Sequence, residues 1–166
     1  MRNNKINQAG FSILEMTAVI AIIGLTIVGL MSLALQSIQV QRLNKYNLTA
    51  AMLAQEGIEI VRNRRDSNWR TRTDSWTTVM AADNYIVDYN GTFTGGIGDI
   101  DNSGAVLNIA GGFYEHGVGV PSPFSRLVTI SNTTAASSTV TSRVRYRSGD
   151  NYFNYIAETV LYDWNQ

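Results

Sequence analysis

A carboxylate stands among hydrocarbon side chains near the start of this chain: Glu15, inside the run "AGFSILEMTAVIAIIGLTIVGLMSLALQ". Placing a charged side chain in the middle of a membrane helix costs roughly 2.5–3.5 kcal/mol on insertion scales, so a segment that keeps one needs a partner or a task for it. A second pattern, "DIDNSG", alternates Asp99, Asp101 and Ser103 ahead of a glycine, as the opening of a calcium loop does. Ala110 stands where the closing glutamate belongs, and a plain aspartate and asparagine turn is the simpler account. Third, Arg62, Arg64, Arg65, Arg70 and Arg72 are interleaved with Trp69 and Trp76, a mixture able to grip single-stranded nucleic acid by charge and stacking. Arginines at a helix C-terminus also complement its dipole, and Asp66 and Asp74 sit among them, so the expectation is a solvated helix end with no nucleic-acid partner. His116, beside Glu115 and glycines, reads as a loop residue, and no set of nucleophile, base and orienting group argues for an enzyme.

Composition narrows the chemistry further. The 166 residues carry 13 basic and 13 acidic side chains, so no strong net field points to a polyanion or an anionic surface. The absence of cysteine removes thiol catalysis, thiolate metal sites and disulfides, and a single histidine rules out a histidine-rich metal centre. The acceptor patterns at Asn47, Asn90 and Asn132 are common by chance and carry little weight.

The elements that must position Glu15 follow from a sharp change in composition. Residues 1–10 are polar with Arg2 and Lys5 as their charges, residues 11–35 are apolar apart from Glu15 and four hydroxyl side chains, and charge resumes at Arg42. A helix over residues 11–35 would be about 37 Å long, enough to cross a hydrocarbon layer of about 30 Å. Arg2 and Lys5 place the N-terminus in the cytoplasm by the positive-inside rule, with Arg42 and Lys45 on the far side opposing that assignment. Two other readings remain open at this point: a secretory signal peptide cut near Ser32 and Ala34, and an uncut signal anchor.

The local pattern "AGFSILE" resembles the type IV prepilin signature, a short basic leader ending in glycine, an aromatic first mature residue and a glutamate at the fifth. The resemblance covers about the first 60 residues. It implies that a prepilin peptidase cuts between Gly10 and Phe11 and methylates the new amine, and that Glu15 meets that amine, in the family between neighbouring subunits. It further implies other pilin or pseudopilin subunits and an inner-membrane assembly platform as partners. The expected location is the bacterial cytoplasmic membrane, crossed once with the C-terminal domain outside, and then an extracytoplasmic filament. The chain departs from major pilins in having no proline in the apolar helix, only Gly24 and Gly29, and no C-terminal disulfide. Both departures favour a minor pilin or a pseudopilin. Some pseudopilins bind calcium in C-terminal loops and some pilin-like proteins bind DNA, which gives Asp99, Asp101, Ser103 and the arginines their interest.

Beyond the span, Val40, Leu43, Ala50, Ala54, Ile58 and Val61 recur at helical spacing and predict a spine reaching about Arg65, with a stop in "RDSNW". Gly57 inside it points to close packing against a strand. Downstream, "NYIVDY" and "FSRLVTIS" read as strands, the latter entered after Pro121 and Pro123 with Phe124, Val128 and Ile130 on one face. "TVTSRVRYR" alternates Val140, Val144 and Tyr146 against Arg143, Arg145 and Arg147, and "SGDN" turns it back into "YFNYIAETVLYDW" as a hairpin. The expected fold is α+β: a leader (1–10), a membrane helix (11–35), a helical spine (36–66), and a β-rich domain (67–166) whose small antiparallel sheet packs on Ile58 and Val61.

Overall fold

The structure is a computed structural model that describes residues 10, 12–71, 75, 78 and 80–163. One helix, α1 (Ile13–Thr71), precedes seven strands: β1 (Asp83–Val87), β2 (Phe93–Thr94), β3 (Val106–Ala110), β4 (Phe113–His116), β5 (Val120–Ser131), β6 (Ser137–Ser148) and β7 (Asn151–Tyr162). The chain divides into two compact units, residues 1–42 and 43–166, and α1 runs through both.

In the first unit the helix surface over residues 13–35 is apolar apart from Glu15 and three hydroxyl side chains. It supplies one stretch long and apolar enough to cross a membrane, and none of that stretch is buried by the rest of the chain. Ile13 is 84% exposed and Leu25 76%, exposures that only an apolar surrounding can tolerate along a whole helix. Gly24 and Gly29 lie within this helix, which is continuous through both.

In the second unit α1 buries one stripe, Ala50, Leu53, Ala54, Gly57, Ile58 and Val61. Spacings of three and four put these side chains on one face, and the sheet covers that face. The sheet is antiparallel throughout, with β5 at its centre: β6 runs along one side of β5, β1 and β3 share the other, and β7 extends the sheet from β6. The register Phe124↔Tyr146, Val128↔Ser142 and Ile130↔Val140 brings the buried residues of β5 and β6 to the same side, as period-2 alternation requires. Ile58 and Val61 pack in one apolar cluster with Met80, Val87, Val128, Ile130 and Val140. A second cluster gathers Ala50, Leu53 and Ala54 with Leu107, Phe124, Val144 and Tyr146.

The β6–β7 hairpin closes on Gly149 and Asp150, with a positive φ of 62° at the glycine, the residue a two-residue hairpin with glycine first demands. A β3–β4 hairpin not anticipated from sequence closes on Gly111 and Gly112, both at positive φ. Three sequence expectations are corrected. The helix ends at Thr71 and not near Arg65: Asn68 turns its amide to the Thr78 carbonyl at 2.9 Å, so its side chain makes a tertiary contact and does not compete with the helix. Strand β5 starts at Val120 and contains Pro121 and Pro123, tolerated where its pairing with β3 shifts register. Val40 is exposed, and the buried stripe begins at Ala50, with Leu43 only half-buried.

Candidate functional site

The start of α1 holds the residues the sequence singles out. Gly10 is exposed and outside the helix, and Phe11 lies outside the described residues. Ser12 caps the helix: its Oγ accepts the Leu14 N–H at 3.3 Å, and its carbonyl accepts the N–H groups of Glu15 and Met16 at 3.0 and 3.1 Å. Glu15 therefore sits in the first turn, where the positive end of the helix dipole favours a carboxylate. Ser12 and Glu15 have the S-x-x-E spacing of a capping box, a signal readable in the sequence and missed there. Thr17 and Thr26 return their hydroxyls to the Leu14 and Ile22 carbonyls at 2.9 and 2.8 Å, satisfying themselves within the helix. Of the polar groups in this first stretch, Glu15 is the one ionisable side chain, in a segment otherwise made of hydrocarbon and a few hydroxyl side chains.

The calcium-like turn is held by arginines. Asp99 pairs with Arg143 and Asp101 with Arg145, and Arg145 also reaches the Ile100 carbonyl at 3.5 Å. Its hydrogen bond from Arg145, then the charges of Arg145 and Arg143, hold the Asp101 carboxyl below the usual carboxylate range. Asn102 accepts the Gly104 N–H at 2.8 Å and caps the short 3₁₀ turn that contains Ser103. Two guanidinium groups thus stand where a divalent cation would need open carboxylates, and among the described residues no three His, Asp or Glu side chains converge as a metal site.

The arginine cluster is dispersed by its own partners. Arg62 pairs with Glu59 at 2.5 Å, Arg65 pairs with Asp66 at 2.9 Å and lies over the Trp69 ring, and Arg64 donates to the Gly91 carbonyl at 2.9 Å while lying over Phe93. Arg70 is in the last turn, and Arg72 lies outside the described residues. Arg64 edges an open cleft of about 290 Å³ with Ile60, Ser67, Tyr89 and Phe93.

Two buried polar arrangements escaped the sequence reading. Arg126 on β5 is fully buried and faces α1: it pairs with Glu56 at 3.2 Å and donates to the carbonyls of Leu53 and Val87 at 3.2 and 2.6 Å. Burial pushes its guanidinium down, against the opposing pull of Glu56 and Asp88. His116 closes β4 with its side chain buried, which corrects its reading as a loop residue; its Nδ1 and its backbone N–H both meet Asp88 Oδ1, at 2.6 and 3.0 Å. Burial alone would raise the Asp88 carboxyl, but the bonds and charge of His116, with the charge of Arg126, bring it below the usual range. These groups tie α1, β1, β4 and β5 together, and His116 Nε2 is buried without a hydrogen-bond partner among the described residues. Compared with protein-family models, with curated proteins and with solved structures, the chain matches none.

Proposed function

We propose that this chain is a structural subunit, prepilin-like and of the minor pilin or pseudopilin kind. In this reading it is stored in the bacterial cytoplasmic membrane with residues 36–166 outside. A prepilin peptidase cuts it after Gly10 and methylates Phe11, and an inner-membrane platform draws it into a type IV pilus or a type II secretion-like filament. The observation that carries the reading is the first half of α1, an apolar helix exposed on all sides that continues as the packed spine of a folded domain. Such a helix is at home in lipid and equally among copies of itself, so transfer from one to the other is energetically feasible.

The geometry at the helix start supports the same reading. Cleavage after Gly10 would leave the Ser12 cap whole and create a cationic amine one residue before it, about one turn from Glu15. In a water-poor bundle an incoming copy that pairs its amine with Glu15 is favoured at one axial offset, and a copy at another offset buries an unpaired charge.

N-terminal mass spectrometry of the chain from bacterial membranes tests this. The expected product begins with N-methylphenylalanine at Phe11; a start at Met1 would indicate a signal anchor, and one near Leu35 a secreted protein. Glu15→Ala should insert normally and lose assembly. Glu15→Gln separates pairing from capping, because glutamine preserves a capping box but not the charge. Assembly of Glu15→Gln at the wild-type level would remove the ion-pair account.

A further inference from the structure

The sheet ends in β2, β4 and β7. The first two are short, two and four residues, whereas β7 runs for twelve and pairs with β6 without a break in register. Among the described residues β6 is its one strand partner. A long sheet edge is ordinarily guarded by proline, lysine, a bulge or a covering element, because its unpaired N–H and C=O groups template another strand. Strand β7 contains no proline and no lysine, and it is not bulged.

Hydrogen bonding fixes which of its groups are open. Asp163 donates its N–H to the Ala136 carbonyl at 2.9 Å, and the register that sets Tyr162 opposite Ser137 sets these two residues opposite each other. In an antiparallel ladder such a pair exchanges both of its bonds, and the next pair along exchanges none. Phe153, Tyr155, Ala157, Thr159 and Leu161 therefore bond to β6, while Tyr152, Asn154, Ile156, Glu158, Val160 and Tyr162 aim both backbone groups at the open side. The side chains of this second set share the outward face with Arg143 and Arg145, and Ile156 and Tyr162 are each 60% exposed. Glu158 stands in the middle of the set; its carboxylate accepts the Thr141 hydroxyl at 3.1 Å, and among the ion pairs of the described residues none includes it.

We infer that β7 is a docking edge for an extended segment of a separate polypeptide, added antiparallel as a further strand, with apolar residues opposite Tyr152, Ile156, Val160 and Tyr162 and a lysine or arginine opposite Glu158. The open row of alternating donors and acceptors matches an extended backbone, and the side chains along it set the pattern that the backbone must carry. Charge selects against a second copy of this chain, since residues 150–163 hold three acids and no base, and two such edges side by side would join like to like. Every group involved belongs to the second unit, so the added strand and the filament reading stand or fall separately.

The probe is a synthetic peptide with valine opposite Tyr152, Ile156, Val160 and Tyr162, lysine opposite Glu158 and threonine elsewhere, added to the full chain in detergent at about ten times its dissociation constant. Amide exchange, read residue by residue, should slow about tenfold at Asn154, Ile156, Glu158 and Val160 and stay unchanged at Tyr155, Ala157 and Thr159, which already bond to β6. A peptide methylated on the nitrogens of its lysine and the two nearest valines, which face β7, should lose binding, and one methylated on the threonines between them should keep it. Ile156→Pro should also abolish binding with the fold intact, because the Ile156 N–H makes no bond to β6; the two methylated peptides test the same point on the unaltered chain. Equal binding of both methylated peptides, or no slowing at the four open amides, overturns the inference. Open amides that are protected without peptide overturn it too: protection that fades on dilution would put a second copy on the edge, and protection that persists would put another part of this chain there.

Discussion

Gly57 is where α1 comes closest to the sheet. A Cβ at that position would lie 2.5 Å from Ser142 Oγ and 3.2 Å from Val128 Cγ2. Replacing a helix glycine by alanine ordinarily gains about 1 kcal/mol, whereas forcing a methyl into a filled core costs about 1–3 kcal/mol. At this contact the clash outweighs the gain in helix propensity, so Gly57→Ala should destabilise the domain by about 1 kcal/mol. Ser142 Oγ is buried without a hydrogen-bond partner among the described residues, so Ser142→Ala should be near neutral or stabilising. The double variant should then recover most of the loss, a coupling readable in denaturant unfolding of the full chain in detergent. A stabilising Gly57→Ala would show that the helix and sheet are less tightly seated. The glycine was legible in the sequence because it interrupts a helical pattern. Arg126 was legible too and passed over: it lies midway between Phe124 and Val128, two positions from each, so the alternation that faces them inward faces the arginine inward as well. A charge at an inward position announces a partner, here Glu56 on the spine.

At the scale of elements, the segment from Gly95 to Ala105 acts as a strap over the face of the sheet turned away from α1. Its Gly96 N–H is accepted by Asp83 at 2.7 Å, its Gly98 carbonyl accepts from Asn84 at 3.3 Å, and Asp99 and Asp101 hold Arg143 and Arg145, which alternate outward on β6. Under this fastening Ile100 and Ala105 are buried, and so is Leu127, an outward residue of β5. Exposed ion pairs contribute little to global stability, but they decide how often a surface segment opens. Arg143→Ala/Arg145→Ala should therefore speed amide hydrogen exchange across residues 97–105 while leaving the global unfolding midpoint almost unchanged, and high salt should act the same way on the wild type. Unchanged exchange would assign the hold to the apolar contacts alone. The strap could not be read from sequence because its partners lie 44 residues away, and without them Asp99, Asp101 and Ser103 show only a cation-like spacing. Long periodic segments, the helix and the β6–β7 hairpin, were legible since their patterns are local. Pairings such as β3 with β5 depend on tertiary company.

For the whole molecule, the division of labour between the two units is an energetic one. Both apolar clusters draw their residues from Leu43 onward, and the side chains of Ile13 to Leu35 contribute to neither. Stability of the domain should then be independent of that apolar segment. Residues 43–166 produced alone should be soluble and unfold cooperatively, with a midpoint within a few degrees of that of the full chain in detergent. The boundary matters, because the spine keeps making contacts well before its first fully buried residue. Tyr46 sets its ring edge-on to Phe124 and Tyr146, each at 5.6 Å, and Asn47 accepts the Tyr146 hydroxyl at 2.6 Å. Each aromatic pair is worth about 0.5–1.5 kcal/mol beyond the area it buries, and the lost hydrogen bond about 1 kcal/mol more. A chain starting at residue 51 should therefore fold markedly less stably than one starting at 43, although it removes only eight further residues, Ala50 the one fully buried among them. Equal midpoints for the two truncations would show that the spine before Ala51 adds nothing to the stability of the domain, and would move the start of the folded domain about two turns along the helix.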